Sequence, residues 1–208
     1  MVLLITLTTA GTDSGPFDLY SNVDNYSVPF ETNVLKSALV SGYITSSSPL
    51  GTSTVRIQSE GTCTNYIDRP VLSITTTTWN TANTSGGSSA SNQIQLPLES
   101  SGTYNFTVNW GDGSSDTITT WNQAQTLHTY ASAGTYNVTI TGICNGWRFN
   151  GGGDNRKIIS ISDWGDLNLG NNGNYFYGCT NLDLSAVSGI LDLTGTTNFN
   201  SIFASCEN

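Results

Sequence analysis

Trp110-Gly111-Asp112-Gly113-Ser114, His128-Thr129-Tyr130 and Gly134-Thr135-Tyr136-Asn137-Val138-Thr139-Ile140 stand in this order near the middle of the chain. Before the first lies Thr103-Tyr104-Asn105-Phe106-Thr107-Val108-Asn109-Trp110, which alternates in side-chain character and predicts a strand. Gly111-Asp112-Gly113 predicts a tight turn, since glycine takes positive φ and Asp bonds its own backbone. Thr117–Trp121 follows as the expected return strand. Gly134 opens another turn, after which Tyr136, Val138 and Ile140 fall on one face of a strand. An antiparallel β module is the outcome.

Composition extends the all-β expectation to the whole chain. Ser and Thr make up about a quarter of the 208 residues, and charged residues only 10%, against about 25% in an ordinary soluble domain. Thr, Tyr, Val, Ile and Trp favour pleated strands, and charged helix formers are scarce. The net charge is −9 with six basic residues, so no basic patch exists to neutralise a phosphate backbone, and nucleic acid is not an expected partner. No apolar run is long enough to span a membrane as a helix, and no membrane insertion is expected. Met1–Thr8 has an apolar run without a positive leading region or a small-residue cleavage site. It is read as a first strand rather than an export signal.

Outward from the central motif, three segments are expected: an N-terminal β domain (1–70), a β-sandwich (71–145) and a repeat region (146–208). In the first, Leu3, Ile5 and Leu7, then Phe17–Ser21, then Thr54–Ser59 predict strands, and Thr32–Val40 reads almost equally as a short helix or a strand. In the second, Leu72, Ile74 and the Thr run to Trp79 make an entry strand and Ile94–Leu98 alternates, with Pro97 placing it at an edge or start. In the third, Asn150–Asp154 is a turn and Lys157–Asp163 a strand. Tyr175-Phe176-Tyr177-Gly178-Cys179-Thr180-Asn181 then recurs as Ile202-Phe203-Ala204-Ser205-Cys206-Glu207-Asn208, with Phe176/Phe203, Cys179/Cys206 and Asn181/Asn208 each 27 residues apart. Asp183-Leu184-Ser185 is echoed by Asp192-Leu193-Thr194. Such a period is the mark of a stacked, leucine-rich-type solenoid, which needs about three units for stability. With one unit and the head of a second, the chain is expected either to be a fragment of a longer protein, the favoured reading, or to have its open end covered by another subunit.

The motif Trp110, Gly111, Asp112, Gly113, His128, Tyr130, Gly134, Tyr136 and Val138 resembles the polycystic-kidney-disease (PKD) type of β-sandwich, with its W-G-D-G, H-x-Y and G-x-Y-x-V. The repeat resembles the BspA-like leucine-rich repeats, and together the two cover about 71–208. Thr6–Thr9, Gly15–Tyr20, Pro29–Glu31 and Gly61–Asn65 resemble an N-terminal module of phage structural proteins. These resemblances imply an all-β, modular, non-enzymatic virion protein, a fibre, appendage or decoration protein on the virion surface. Its expected partners are other virion proteins, itself (a homo-oligomer, such as a trimer) and a host surface protein or glycan. The alternatives are a bacterial cell-surface adhesin and an accessory region of a carbohydrate-active enzyme.

Candidate chemistry is sparse. His128, the single histidine, is expected to pack or bond between strands rather than to catalyse. Asp112 and Asp116 are the candidate calcium ligands, although calcium wants six to eight oxygens and the EF-hand spacing is absent; Asp112 more simply caps its turn, and no cofactor is assigned. Asp163, Asp166, Asp183 and Asp192 could be read as paired acids, but matching places in a repeat make Asp183 and Asp192 corner residues. The cysteines (Cys63, Cys144, Cys179, Cys206) form no C-x-x-C pair and read as small buried groups, with a Cys63–Cys144 bridge as a lesser option. Trp121, Trp147, Trp164, Tyr175 and Tyr177 either form a binding surface or fill the junction between sandwich and solenoid.

Overall fold

The structure is a computed structural model that describes residues 3–7, 15–49, 51–60, 65–71 and 73–206. Among these residues the chain is all-β, with one six-residue helix, and it forms two compact units, Met1–Leu72 and Ser73–Asn208.

In the first unit β1 (Leu3–Ile5) pairs antiparallel with β4 (Tyr43–Thr45). A second sheet contains β2 (Phe17–Ser21), β3 (Pro29–Val34), β5 (Thr54–Ser59) and β6 (Tyr66–Pro70), ordered β3-β2-β5-β6. Alternation on β2 and β5 buries Phe17, Leu19, Val55 and Ile57, which join Leu3, Ile5, Val34 and Leu39 in one core. The ambiguous Thr32–Val40 stretch proves to be both elements. β3 ends at Val34, and α1 (Lys36–Ser41) follows. Leu39 is fully buried on α1, whereas Leu35, its N-cap, faces solvent. Thr8, Thr9 and Gly61–Thr64 of the expected N-terminal module, and Leu72 of the expected entry strand, lie outside the described residues.

The second unit is built on β7 (Ile74–Asn80), β8 (Gln93–Gln95), β9 (Leu98–Asn109), β10 (Ser115–Ile118), β11 (Leu127–Thr129), β12 (Thr135–Trp147), β13 (Ile158–Asp163) and β14 (Leu167–Asn168). The main sheet runs β10-β9-β12-β7-β13, with β14 added parallel to the end of β12. β8 and β11 pair separately. Several antiparallel sheets around a shared core are consistent with a β-sandwich. Alternation puts Tyr104, Phe106 and Val108 of β9 and Val138, Ile140 and Cys144 of β12 inside, together with Ile94 of β8. Gly142 lies opposite Phe106, and a Cβ there would meet the Asn105 carbonyl at 2.6 Å.

The threonine run of β7 is readable as a core strand because its hydroxyls find partners. Thr75 Oγ1 donates to the Trp164 carbonyl (2.8 Å), Thr77 Oγ1 to the Val138 carbonyl (3.0 Å), and Trp79 Nε1 to Thr77 Oγ1 (2.8 Å). The hydrophobic core runs without a break from Trp79 to Leu182, so packing is continuous through residue 145.

Several strand limits differ from expectation: β1 stops at Ile5, short of Leu7, and β9 opens at Leu98 rather than Thr103, while three others have a visible local cause. The return strand is Ser115–Ile118, not Thr117–Trp121. Gln123 Oε1 accepts from the Thr119 and Thr120 amides and Gln123 Nε2 donates to the Thr117 carbonyl, which bends the chain out of the ladder. The strand expected from Lys157 begins at Ile158, because the Lys157 amide closes a turn on the Asp154 carbonyl. Ile94–Leu98 is divided, with β8 ending at Gln95 and Leu98 opening β9. Pro97 between them offers no N–H to a ladder.

Candidate functional site

The three parts of the central motif converge. The Trp110 indole is buried, its Nε1 donating to Asp116 Oδ2 (2.8 Å). Asp112 Oδ1 accepts from the Ser114 amide (2.9 Å) and hydroxyl (2.6 Å). His128, on β11, lies stacked on Trp110 (4.7 Å between ring centres) and donates Nε2–H to Asp112 Oδ2 (2.8 Å). Tyr130 meets His128 edge-on, stacks on Tyr136 (3.7 Å) and donates its hydroxyl to the Trp110 carbonyl (2.9 Å). The Gly134 amide and carbonyl both bond Thr81, and Val138 enters the core. Gly111 has φ +82°, and a Cβ on it would lie 2.4 Å from the Asn137 carbonyl; Gly113 also has positive φ but faces open space.

Partial burial works to raise the Asp112 carboxyl. The donors from Ser114 and His128 outweigh it and hold the group down at about 2. Burial pushes the Tyr130 phenol up. Asp112 thus spends its oxygens on protein donors, and Asp116 spends one on Trp110. No group of three His, Cys, Asp or Glu side chains arranged to hold a metal is present among the described residues.

The repeat residues stack. The Phe149 amide donates to the Tyr175 carbonyl, Gly151 to Tyr177, Asn174 to Asn200, Phe176 to Ile202 and Gly178 to Ala204. Phe176 packs on Phe149 (6.2 Å) and lies parallel to Phe203 (5.4 Å). Phe149, Phe176 and Phe203 are spaced by 27 residues, and Gly151, Gly178 and Ser205, each two positions later, all take positive φ. Cys179 is buried, and Cys206 Sγ donates to the Phe176 carbonyl (3.1 Å). Asn181 Nδ2 donates to the Arg156 carbonyl (2.7 Å). Asn208 and Cys63 lie outside the described residues, while the Cys144 thiol is buried, which pushes its pKa up. Asp163, Asn168, Asp183 and Asp192 each accept, through Oδ1, from the amide two residues on. These four side chains make the corners of successive turns.

The five aromatics expected as a surface divide. Trp147, Trp164 and Tyr175 are buried and belong to the core, so they form no binding face. Trp147 packs edge-on against Trp79, and Tyr175 donates its hydroxyl to the Asn198 carbonyl (2.9 Å). The reason is packing: the turns after β12 close over the sheet and need large groups to fill the join. Trp121 (45% exposed) and Tyr177 (40%) do face solvent.

Two features carry no expectation from sequence. Asp154 and Lys157 are both buried, with Nζ 3.3 Å from Asp154 Oδ1. Nζ also donates to the Ser89, Ala90 and Gln93 carbonyls, and Asp154 accepts from the Ser89 and Gln95 amides. Burial drags the Lys157 ammonium below its ordinary range, against the pull of Asp154. The second feature is a recess of about 280 Å³ where the start of β9, the end of β12 and the turns after β14 meet. Glu99, Ser101, Asn145, Asn168, Asn171, Asn172 and Thr194 line it, with Gly102, Gly146, Gly170 and Gly195 between them. Asn172 Nδ2 donates to Glu99 Oε2 and to Ser101 Oγ. Glu99 Oε1 is buried and has no donor among the described residues. A Cβ on Gly102 would lie 2.5 Å from the Asn145 carbonyl, which explains the bare backbone on that wall.

No known protein family, no curated protein and no solved structure matches the chain.

Proposed function

We propose that the chain is a non-enzymatic structural protein of a phage virion, a fibre, appendage or decoration protein that presents an adhesive surface to its host. In this reading residues 1–70 dock on the particle, 71–145 are a PKD-like sandwich that acts as a spacer, and 146–208 begin a BspA-like leucine-rich solenoid. The observation that carries it is the use to which the motif's reactive side chains are put. His128, Asp112 and Asp116 hold Trp110, Ser114 and one another, so the module's polar groups serve to fix strands. The solenoid part is supported by the Phe149–Phe176–Phe203 column and its backbone bonds. Association with further copies, as in a trimer, would cover the edge strand β10.

The test is electron microscopy of purified particles from a lysate that contains this chain, labelled with antibody raised against it. Label on the particle surface is the expected result, and particles that carry none overturn the proposal. Glycan or peptide turnover by the purified chain, abolished by neutralising a single acid, would overturn its non-enzymatic part.

A further inference from the structure

We infer that the recess beside Glu99 is a binding site for a saccharide, held through its hydroxyl groups, and so names the ligand class of the adhesive surface proposed above, on which this inference rests. The recess is close in size to the smallest ligand sites, ~300 Å³. Its wall selects by chemistry. Glu99 and a net charge of −9 repel phosphates and carboxylates. No wholly apolar side chain lines it, so a hydrophobic ligand gains little there. A divalent cation would need six or more oxygens, and among the described residues Glu99 is the one carboxylate on the wall.

What remains complementary is a group that both donates and accepts. Glu99 Oε1 is a buried acceptor without a donor among the described residues, and leaving such an atom unpaired costs free energy that a ligand hydroxyl would recover once the carboxylate turns into the recess. The Asn145 side-chain amide lines the same wall and offers both a donor and an acceptor. Asn172 holds Glu99 and Ser101 in place, and Asn168 is fixed by Asp192, Thr194 and Gly170, so the wall is pre-formed. A pair of neighbouring sugar hydroxyls can donate to Glu99 and accept from an amide at once, which strengthens both bonds.

The experiment is a titration of the isotope-labelled full chain, followed by amide chemical shifts. The probes are glucose, galactose, mannose, rhamnose and N-acetylglucosamine, with calcium chloride and methylammonium chloride as separate arms. At least one sugar is expected to move the amides of residues 99–102, 145–146 and 170–172 in a saturable way. Glu99→Gln should weaken that binding by about tenfold or more. Ser101→Trp, at an exposed strand position, should block the recess while leaving the remaining amide spectrum unchanged. Trp121→Ala should bind as the parent does. Shifts with calcium or methylammonium but no sugar, no shift with any probe, or sugar binding unaffected in Ser101→Trp would each overturn the inference. The two readings separate cleanly: particles that carry the chain and attach to cells with Ser101→Trp in place would sink the saccharide site and leave the virion role standing. Sugar binding by a chain missing from every particle would do the reverse.

Discussion

Lys157 shows how much one side chain can hold. Its ammonium joins a glycine-rich turn to the segment carrying Ser89, Ala90 and Gln93, which is far away in sequence. Removing it leaves the Asp154 carboxylate buried without a counter-charge. Lys157→Ala is therefore expected to cost about 3–5 kcal/mol in urea unfolding, and a loss under about 1 kcal/mol would show that the pair is not a structural staple. Asp112 gives a pH signature of opposite character. Its folded pKa of about 2 lies below the ordinary ~3.9 of an unfolded aspartate. Its bonds thus stabilise the fold fully above about pH 4, and that contribution is lost as the pH falls towards 2. The difference in melting temperature between parent and Asp112→Asn should shrink across this window and stay constant above it. Little of this was legible beforehand. His128 as a strand-to-strand contact follows from the motif, but nothing in Asp154-Asn155-Arg156-Lys157 marks two of its charges as buried.

At the scale of elements, turn chemistry did most to place the strands. Gly111 and Gly113 both take positive φ, yet only Gly111 would drive a Cβ into backbone, 2.4 Å from the Asn137 carbonyl. Gly113→Ala should cost about 1 kcal/mol from backbone strain alone, and Gly111→Ala clearly more, ~2–4 kcal/mol. Equal losses in denaturant unfolding would mean that the contact with β12 is not tight. The ends of elements were less readable than their centres. Gln123 curtails β10, and a side chain that bonds backbone from a neighbouring turn leaves no periodic trace. The Phe149-Asn150-Gly151 unit was legible in principle, since it repeats in Phe176-Tyr177-Gly178 at the same 27-residue spacing. Its glycine-rich surroundings make it look like a simple turn.

For the molecule as a whole, the decisive fact is the continuity of the second core. Trp79 of β7 touches Trp147 and Phe149, and Phe149 touches Phe176, so sheet and stacked turns share aromatic packing. A fragment spanning residues 73–208 is expected to fold alone, with a dispersed amide spectrum and a cooperative melt. A fragment ending at residue 145 should lose both, because Trp147, Phe149, Trp164 and Phe176 would be missing from its core. A folded 73–145 fragment would show instead that the sheets need no cover from the turns.

Read alone, the amino-acid sequence determined the all-β character, the central turn-and-strand motif and the repeat spacing. Each depends on local rules: period-two alternation, glycine at positive φ, and residues recurring at a fixed interval. Only the tertiary structure decided that Trp147, Trp164 and Tyr175 lie inside, that Asp154 and Lys157 are buried together, and that Glu99 faces a polar recess. Burial is set by segments that meet from distant parts of the chain, and no short stretch of residues encodes what will cover it.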